Sequence, residues 1–589
     1  MIREARVPMV DRARAMSSWS FLVLATLAAS GAAAQGAVSA PDTILLNGRI
    51  YTVDPGRPWA QALATRNGVI IAVGRTDEIT ALRGSATKVV DLAGDTVMPG
   101  LHDVHVHPLF AGLREQECSI PQGSKLERIQ SLVRACVAKA GKGAWIYGGQ
   151  WDASAIGQMP HRSMLDSVSR ENPLLLYDTS GHSSLANSEA LRLAAITKDT
   201  PDPEGGIIER DGAGNPTGLL REAAIDLVRS HVPPPTAEQV RGALKWSLDT
   251  MLAQGITSFT EASLGFAAGA QPELDAYAAL ADAGVLKQRA RLCMHWTPGS
   301  KEAEAVIAER NLYARDRVSL DCVKIFLDGV PTDSHTAAML EPYAGTVEGR
   351  ADDASRTGML LVNQDVLNDA VTRFDRMGLS VKFHAAGDRA VRAGLNAIAA
   401  ARAANGYSGR LHDVGHCTFV AQSDLPRARA IAATFEVSPY LWSPSPINDS
   451  ITAAVGEERI QRVWPVREML EAGALVVPGS DWAVVPSVSP WNALEMLVTR
   501  KVPGGSGDAT FGGSQAITLE QGIAMFTVNS ARHRGMGDKV GQIDTGMLAD
   551  LVVVDRNPID IPITQVHEVV VRMTLIQGEV VYKATAARK

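Results

Sequence analysis

The chain has only five cysteines among 589 residues, and no Cys-x-x-Cys pair occurs. This argues against a disulfide-framed scaffold and a cysteine-ligated zinc module, and the odd count leaves at least one thiol free. An isolated bridge between Cys118 and Cys136 is compatible with an oxidising compartment. Aromatic residues are scarce at 5%, and there is no block of Lys and Arg. With a net charge of -7 and a pI near 6.0, this argues against a nucleic-acid partner. Long hydrophobic runs are also missing. The only strongly apolar N-terminal run, Trp19 to Ala29, falls short of the roughly 20 residues that a membrane helix needs. No stable membrane insertion is therefore expected.

That short run belongs to a different signal. Arg12 and Arg14 precede it, and Ala32-Ala33-Ala34 follows with a small-residue cleavage site. A basic segment, an apolar core and an Ala-x-Ala site read as a secretory signal peptide over residues 1–34. The expectation is an exported, periplasmic protein. Losing this segment removes four Arg and two acids, taking the net charge from -7 to -9. The hydrophobic share of 46% and charged share of 21% fit an ordinary globular chain, and the length calls for one large domain with a smaller one.

Residues 42–97 show short β-rich runs broken by turns, such as Thr43-Ile44-Leu45-Leu46 before Asn47-Gly48. Residues 540–585 read the same way, with Leu551 to Val554, Val569 to Thr574 and Glu579 to Tyr582. Neither end has enough core to fold alone, so both are expected to pair into one composite β-sandwich. Between them, residues 98–539 alternate apolar strands with helical stretches, the pattern of a parallel α/β fold. Eight strands are read: Val97–His105, Ile256–Glu261, Arg289–His295, Cys322–Leu327, Ser380–His384, Asp413–His416, Ala433–Val437 and Leu475–Ser480. A ninth run, Pro173–Thr179, is assigned to an inserted subdomain at about 110–240, after the first strand. The fold predicted is a (β/α)8 TIM barrel, whose site lies at the C-terminal ends of its strands.

Those ends carry the chemistry. Residues i and i+2 of a strand share a face, so His105 and His107 converge at one rim, as metal ligands do. In Val323-Lys324-Ile325-Phe326-Leu327-Asp328, the same period turns Lys324 inward. A buried lysine needs a partner such as Asp328, or it loses its proton; the neutral amine can then take up CO2 to form a carbamate that bridges two cations. His384 and His416 close their strands, and Asp481 follows the last one. Singly, each has a structural explanation: a satisfied core histidine, or an acid capping a helix. Together they mark the ends of strands one, four, five, six and eight.

With these residues the sequence resembles the amidohydrolase superfamily, and within it the amidohydrolase-3 branch that includes N-substituted formamide deformylase. Ser180-Gly181-His182-Ser183, Gly205-Gly206-Ile207-Ile208-Glu209, Gly218-Leu219-Leu220-Arg221-Glu222 and Gly387-Asp388-Arg389-Ala390 also carry the resemblance. It implies two divalent metal ions, with Zn2+ suited to such ligands, though manganese, iron or cobalt could occupy the site. His105, His107 and Asp481 would hold one metal, His384 and His416 the other, and Lys324 as N6-carboxylysine would lie between them. The activity implied is hydrolysis of a non-peptide C–N bond, an N-substituted formamide included, by metal-activated hydroxide. Asp481 would act as general base, and His182 would stabilise the oxyanion. The partner expected is a small-molecule amide; homo-oligomerisation stays open. A cyclic-amide hydrolase or an esterase/lactonase could use the same metals. A deaminase, which favours one metal, and a non-catalytic binding protein stand further off. Trp151, Phe419, Tyr440, Trp442 and Trp482 are candidates to line the pocket or pack the core.

Overall fold

A computed structural model describes residues 40–585, except 122, 179–182, 204–205, 333 and 345–355. Residues 1–34, read from the sequence as a signal peptide, and His182 therefore lie outside the described residues. Among the described residues, no helix is long and apolar enough to cross a membrane.

The two chain ends do share their sheets. A six-stranded sheet runs Glu579–Lys583, Val571–Ile576, Leu551–Val554, Thr96–Pro99, Arg49–Tyr51 and Trp59–Ala60, mixing strands from both ends. Leu551 and Val553 lie opposite Pro99 and Val97 in antiparallel register. Alternate side chains then face one core, in which Leu45, Ile50 and Leu63 pack with Ile543, Leu551 and Leu575. A four-stranded sheet around Thr43–Leu46 packs beside it. Each end supplies half of the apolar surface that the other must cover, so neither buries it alone.

The middle of the chain forms an eight-stranded parallel sheet with its strands in sequence order. The strands are Leu101–Val106, Ile256–Leu264, Arg289–His295, Val318–Phe326, Ser380–Ala385, His412–His416, Ala433–Val437 and Leu475–Pro478. The sheet curls until its edges meet, where Asp481 N donates to His105 O at 2.7 Å and His107 N to Trp482 O at 2.6 Å. Gly479 makes this approach possible, since a Cβ there would collide with the Cβ of His105. The fold is the predicted barrel, with one correction at its start. The run read as a single strand, Val97–His105, breaks at Gly100. Thr96–Pro99 pairs in the terminal sheet, and the barrel strand begins at Leu101.

The insertion after the first strand has its own six-stranded sheet. The ninth run lies there, as Leu174–Asp178, between Ile146–Trp151 and Ser183–Ala186. The helix Leu126–Ala140 covers this sheet, and a disulfide joins Cys118 to Cys136. A second disulfide, Cys293–Cys322, links neighbouring barrel strands at paired positions. Cys417 is the free thiol, buried beside the Val414 carbonyl.

Candidate metal centre

Parallel strands present their C-terminal ends on one rim, and alternate residues there point inward. Four imidazoles meet on that rim. The His105 ring lies 4.7 Å from that of His416 and 5.5 Å from that of His107, while His384 lies 4.5 Å from His416. Asp481 Oδ1 stands 3.6 Å from His105 Nε2 and 3.4 Å from His107 Nε2. Ligand atoms of these three residues fall within 4.8 Å of one another, a spacing that fits one cation. His416 and Asp481 both take left-handed backbone, with φ of 68° and 59°. For non-glycine residues this costs about 1 kcal/mol or more each, a strain typical of working sites.

Lys324 is buried on the fourth strand, its Nζ 5.0 Å from the Phe326 ring and close enough for its charge to act on His105 and His416. Asp328, weighed above as its salt-bridge partner, is engaged elsewhere: it accepts from His384 Nδ1 at 3.1 Å and from the amides of Ala338, Ala386 and Gly387. Burial, and then the charge of Lys382, lower the Lys324 ammonium to about 8, against a smaller opposing pull from Glu436 and Asp481. Burial, and then Lys324, push His105 well below its ordinary value; burial, and then His384 and His105, do the same for His416. Neutral imidazoles and a lysine that readily loses its proton form a donor set suited to cations. His107 differs. Burial lowers it, but the hydrogen bonds that it donates to Asp481 and Glu261 prevail and raise it to about 9.

The amidohydrolase family pattern matches residues 88–582. The chain belongs to the amidohydrolase family. Protein LONG AFTER FAR-RED 3 of Arabidopsis thaliana is 30% identical over 530 residues, which cover 88% of each chain. The N-substituted formamide deformylase of Arthrobacter pascens is 27% identical over 560 residues, covering 93% of this chain and 99% of that one. Among solved structures, an uncharacterized metal-dependent hydrolase from Pyrococcus furiosus superposes with a TM-score of 0.70. It is 23% identical and covers 88% of this chain and 100% of its own, a likeness of fold.

This amidohydrolase surrounds its histidines with carboxylates, of which sequence reasoning singled out only Asp328, and that one for Lys324. Glu436 in the seventh strand meets His105 Nδ1 at 2.6 Å, Glu261 in the second meets His107 Nδ1 at 3.0 Å, and Asp328 meets His384 Nδ1. For His105, which burial keeps neutral, donating the Nδ1 proton in this way directs the Nε2 lone pair to a metal, whereas His107, between Glu261 and Asp481, must first give up its Nε2 proton. His105, His416 and Glu436 also have the spacing of a cation site. Glu436 already accepts a hydrogen bond from His105 Nδ1 and stands 3.9 Å from Lys382 Nζ, so we assign it to orienting His105. The signal for both glutamates was a charged residue near the C-terminal end of an otherwise uncharged, buried strand. His295, which ends the third strand, is exposed at the rim beside Lys324, its register partner. The five aromatics offered for the pocket each expose less than a tenth of their surface, and Trp151 donates its indole N–H to Leu176 O within the insertion. The aromatic rings beside the cluster are Phe326 and Phe266 instead.

Proposed function

We propose that the protein is an exported, metal-dependent hydrolase that cleaves the C–N bond of a small non-peptide amide, N-substituted formamides included. The observation that carries this reading is Lys324: an amine lowered to about 8, buried beside four imidazoles and an aspartate on one barrel rim. In its neutral form Lys324 attacks CO2 through its nitrogen lone pair, and loss of one proton leaves an anionic carbamate. His105, His107 and Asp481 would hold one divalent cation, His384 and His416 a second, with the carbamate of Lys324 between them. Zinc suits this donor set. Such cations, when bound, supply Lewis acidity toward a carbonyl and acidify a water at neutral pH. Asp481 faces the same space and serves as the base that takes the water's proton and passes it to the departing nitrogen. Its left-handed backbone fixes the carboxylate toward His105 and His107.

Export is supported by the N-terminal pattern and by two disulfides, which persist in oxidising compartments. Fractionation of producing cells tests that part, and retention in the cytoplasm refutes it. The activity is tested with metal-replete mature protein and a panel of N-formyl and N-acyl amines, cyclic amides and esters. The expected result is amine release, reduced about a thousandfold or more in Lys324→Ala and in Asp481→Asn, with Asp481→Asn retaining metal. Ring opening or ester cleavage without amide turnover overturns the amide assignment. Substantial activity in Asp481→Asn overturns the general-base role.

A further inference from the structure

One aromatic side chain at the metal rim is both exposed and rigidly held. Phe266, in the loop after the second barrel strand, leaves 51% of its surface open. Its ring lies 5.3 Å from that of His107 at 35°, and edge-on to Phe110 at 5.2 Å. The guanidinium of Arg114 lies over the Phe110 ring, 5.5 Å from its centroid. The loop itself is fastened by a buried carboxylate. Glu273 accepts from Gly265 N at 2.6 Å and from Ala267 N and Ala268 N at 2.8 Å each, while Phe266 N donates to Ser263 O.

An exposed phenylalanine gains nothing from folding on its open face, and a carboxylate is costly to bury. Spending three amide hydrogen bonds and a buried acid to hold that ring beside a metal ligand makes physical sense if the open face has an occupant. The occupant must reach the metal rim, which points to the substrate itself. Val330 and Val484, on the loops after the fourth and eighth strands, expose 47% and 58% and give the same end of the barrel further apolar surface.

We infer that Phe266 is a specificity platform, and that the substrate carries a flat apolar group, an aromatic ring, which packs on its open face while the carbonyl lies at the histidine cluster. This rests on the amide-hydrolase reading and adds the substituent to it. The ring could belong to the amine or to the acyl part, and the platform's chemistry is the same for both. Phe266 is a positioning residue for substrate, with no part in bond making.

The test uses metal-replete protein and a matched set of amides: N-methylacetamide with no ring, N-phenylacetamide with the ring on nitrogen, N-methylbenzamide with the ring on the acyl side, and N-cyclohexylacetamide as the non-planar control. Phe266→Leu keeps an apolar cover over His107 and removes the planar face. The expected result is that the preference for one ring-bearing amide over N-methylacetamide, in kcat/KM, falls about fivefold or more, mainly through KM. Comparing the two proteins cancels the substrates' intrinsic reactivities. Which ring-bearing amide responds tells whether the amine or the acyl group sits on the platform. Metal content is measured alongside, and an unchanged value separates platform loss from damage to His107. Unchanged preferences for both ring-bearing amides overturn the inference, as does an equal loss for all four. If the wild-type protein turns over none of them, the amide reading has failed, and calorimetric binding of N-phenylacetamide and N-methylbenzamide decides the platform separately. Weaker binding of either in Phe266→Leu upholds it, and equal binding of both overturns it.

Discussion

A histidine can serve a metal only if one ring nitrogen is unprotonated and correctly aimed, and here the aim is set by carboxylates from neighbouring strands. Glu436 fixes His105 at 2.6 Å, and Glu261 fixes His107 while also accepting from the Tyr277 hydroxyl at 3.2 Å. Glu436 is the more telling of the two, because it is fully buried and stands near Lys382 as well. Replacing Glu436 by Gln keeps the side-chain volume but removes the anion that holds the His105 proton on Nδ1. Removing such an orienting partner typically costs 10–100-fold in metal affinity. Chelator competition on Glu436→Gln is therefore expected to show about a tenfold or greater loss of metal affinity, with the melting temperature changed much less than the metal content. Wild-type affinity in this variant would sink the orienting role.

At the level of strands and loops, legibility followed periodicity. The period of two in Val323-Lys324-Ile325-Phe326 shows Lys324 inward from sequence alone, and the barrel confirms that direction. The same rule points Glu261 and Glu436 toward the interior as well, but an acid alone names no partner, and only the assembled barrel shows the histidines that they meet. Gly100 was invisible for another reason: the apolar run continues through it, and only the pairing of Pro99 with Leu551 shows the chain changing sheets. The Cys293–Cys322 bridge needed the register between two strands, which composition does not contain. Closure of the barrel was likewise hidden in one small residue. Gly479 lies where the eighth strand touches His105, and a methyl group there must displace either the strand or the ligand. Gly479→Ala is expected to cost about 1–3 kcal/mol of stability and to lower metal content in proportion. Denaturant unfolding with metal analysis checks both, and a stable, fully metallated variant would show that the strands can part without disturbing His105.

Across the whole molecule, the end of the barrel away from the metal rim is closed by charge. Arg534, from the segment after the eighth strand, donates to Ser258 Oγ and to the carbonyls of Phe259 and Arg289. Arg291 of the third strand meets Asp321 of the fourth at 3.0 Å, and Arg410, just before the sixth, meets the same carboxylate at 2.7 Å. Asp321 thus ties the third and fourth strands to the segment that leads into the sixth. Burial alone would raise its pKa, but Arg291 and Arg410 outweigh that and hold it below the ordinary carboxylate range. A carboxyl held lower in the folded than in the unfolded chain stabilises the fold fully above its unfolded pKa, and this contribution disappears as pH falls toward the folded one. Asp321→Asn should therefore lower stability near neutral pH by about 2 kcal/mol, allowing for the partial exposure of the group. The gap between the variant and the wild-type protein should narrow below about pH 4 as the wild-type carboxylate takes up its proton. Melting temperatures from pH 7 to pH 2 measure this directly. A gap that stays constant over that range would mean that Asp321 acts through its shape, and that the charge network is not what holds this end of the barrel closed.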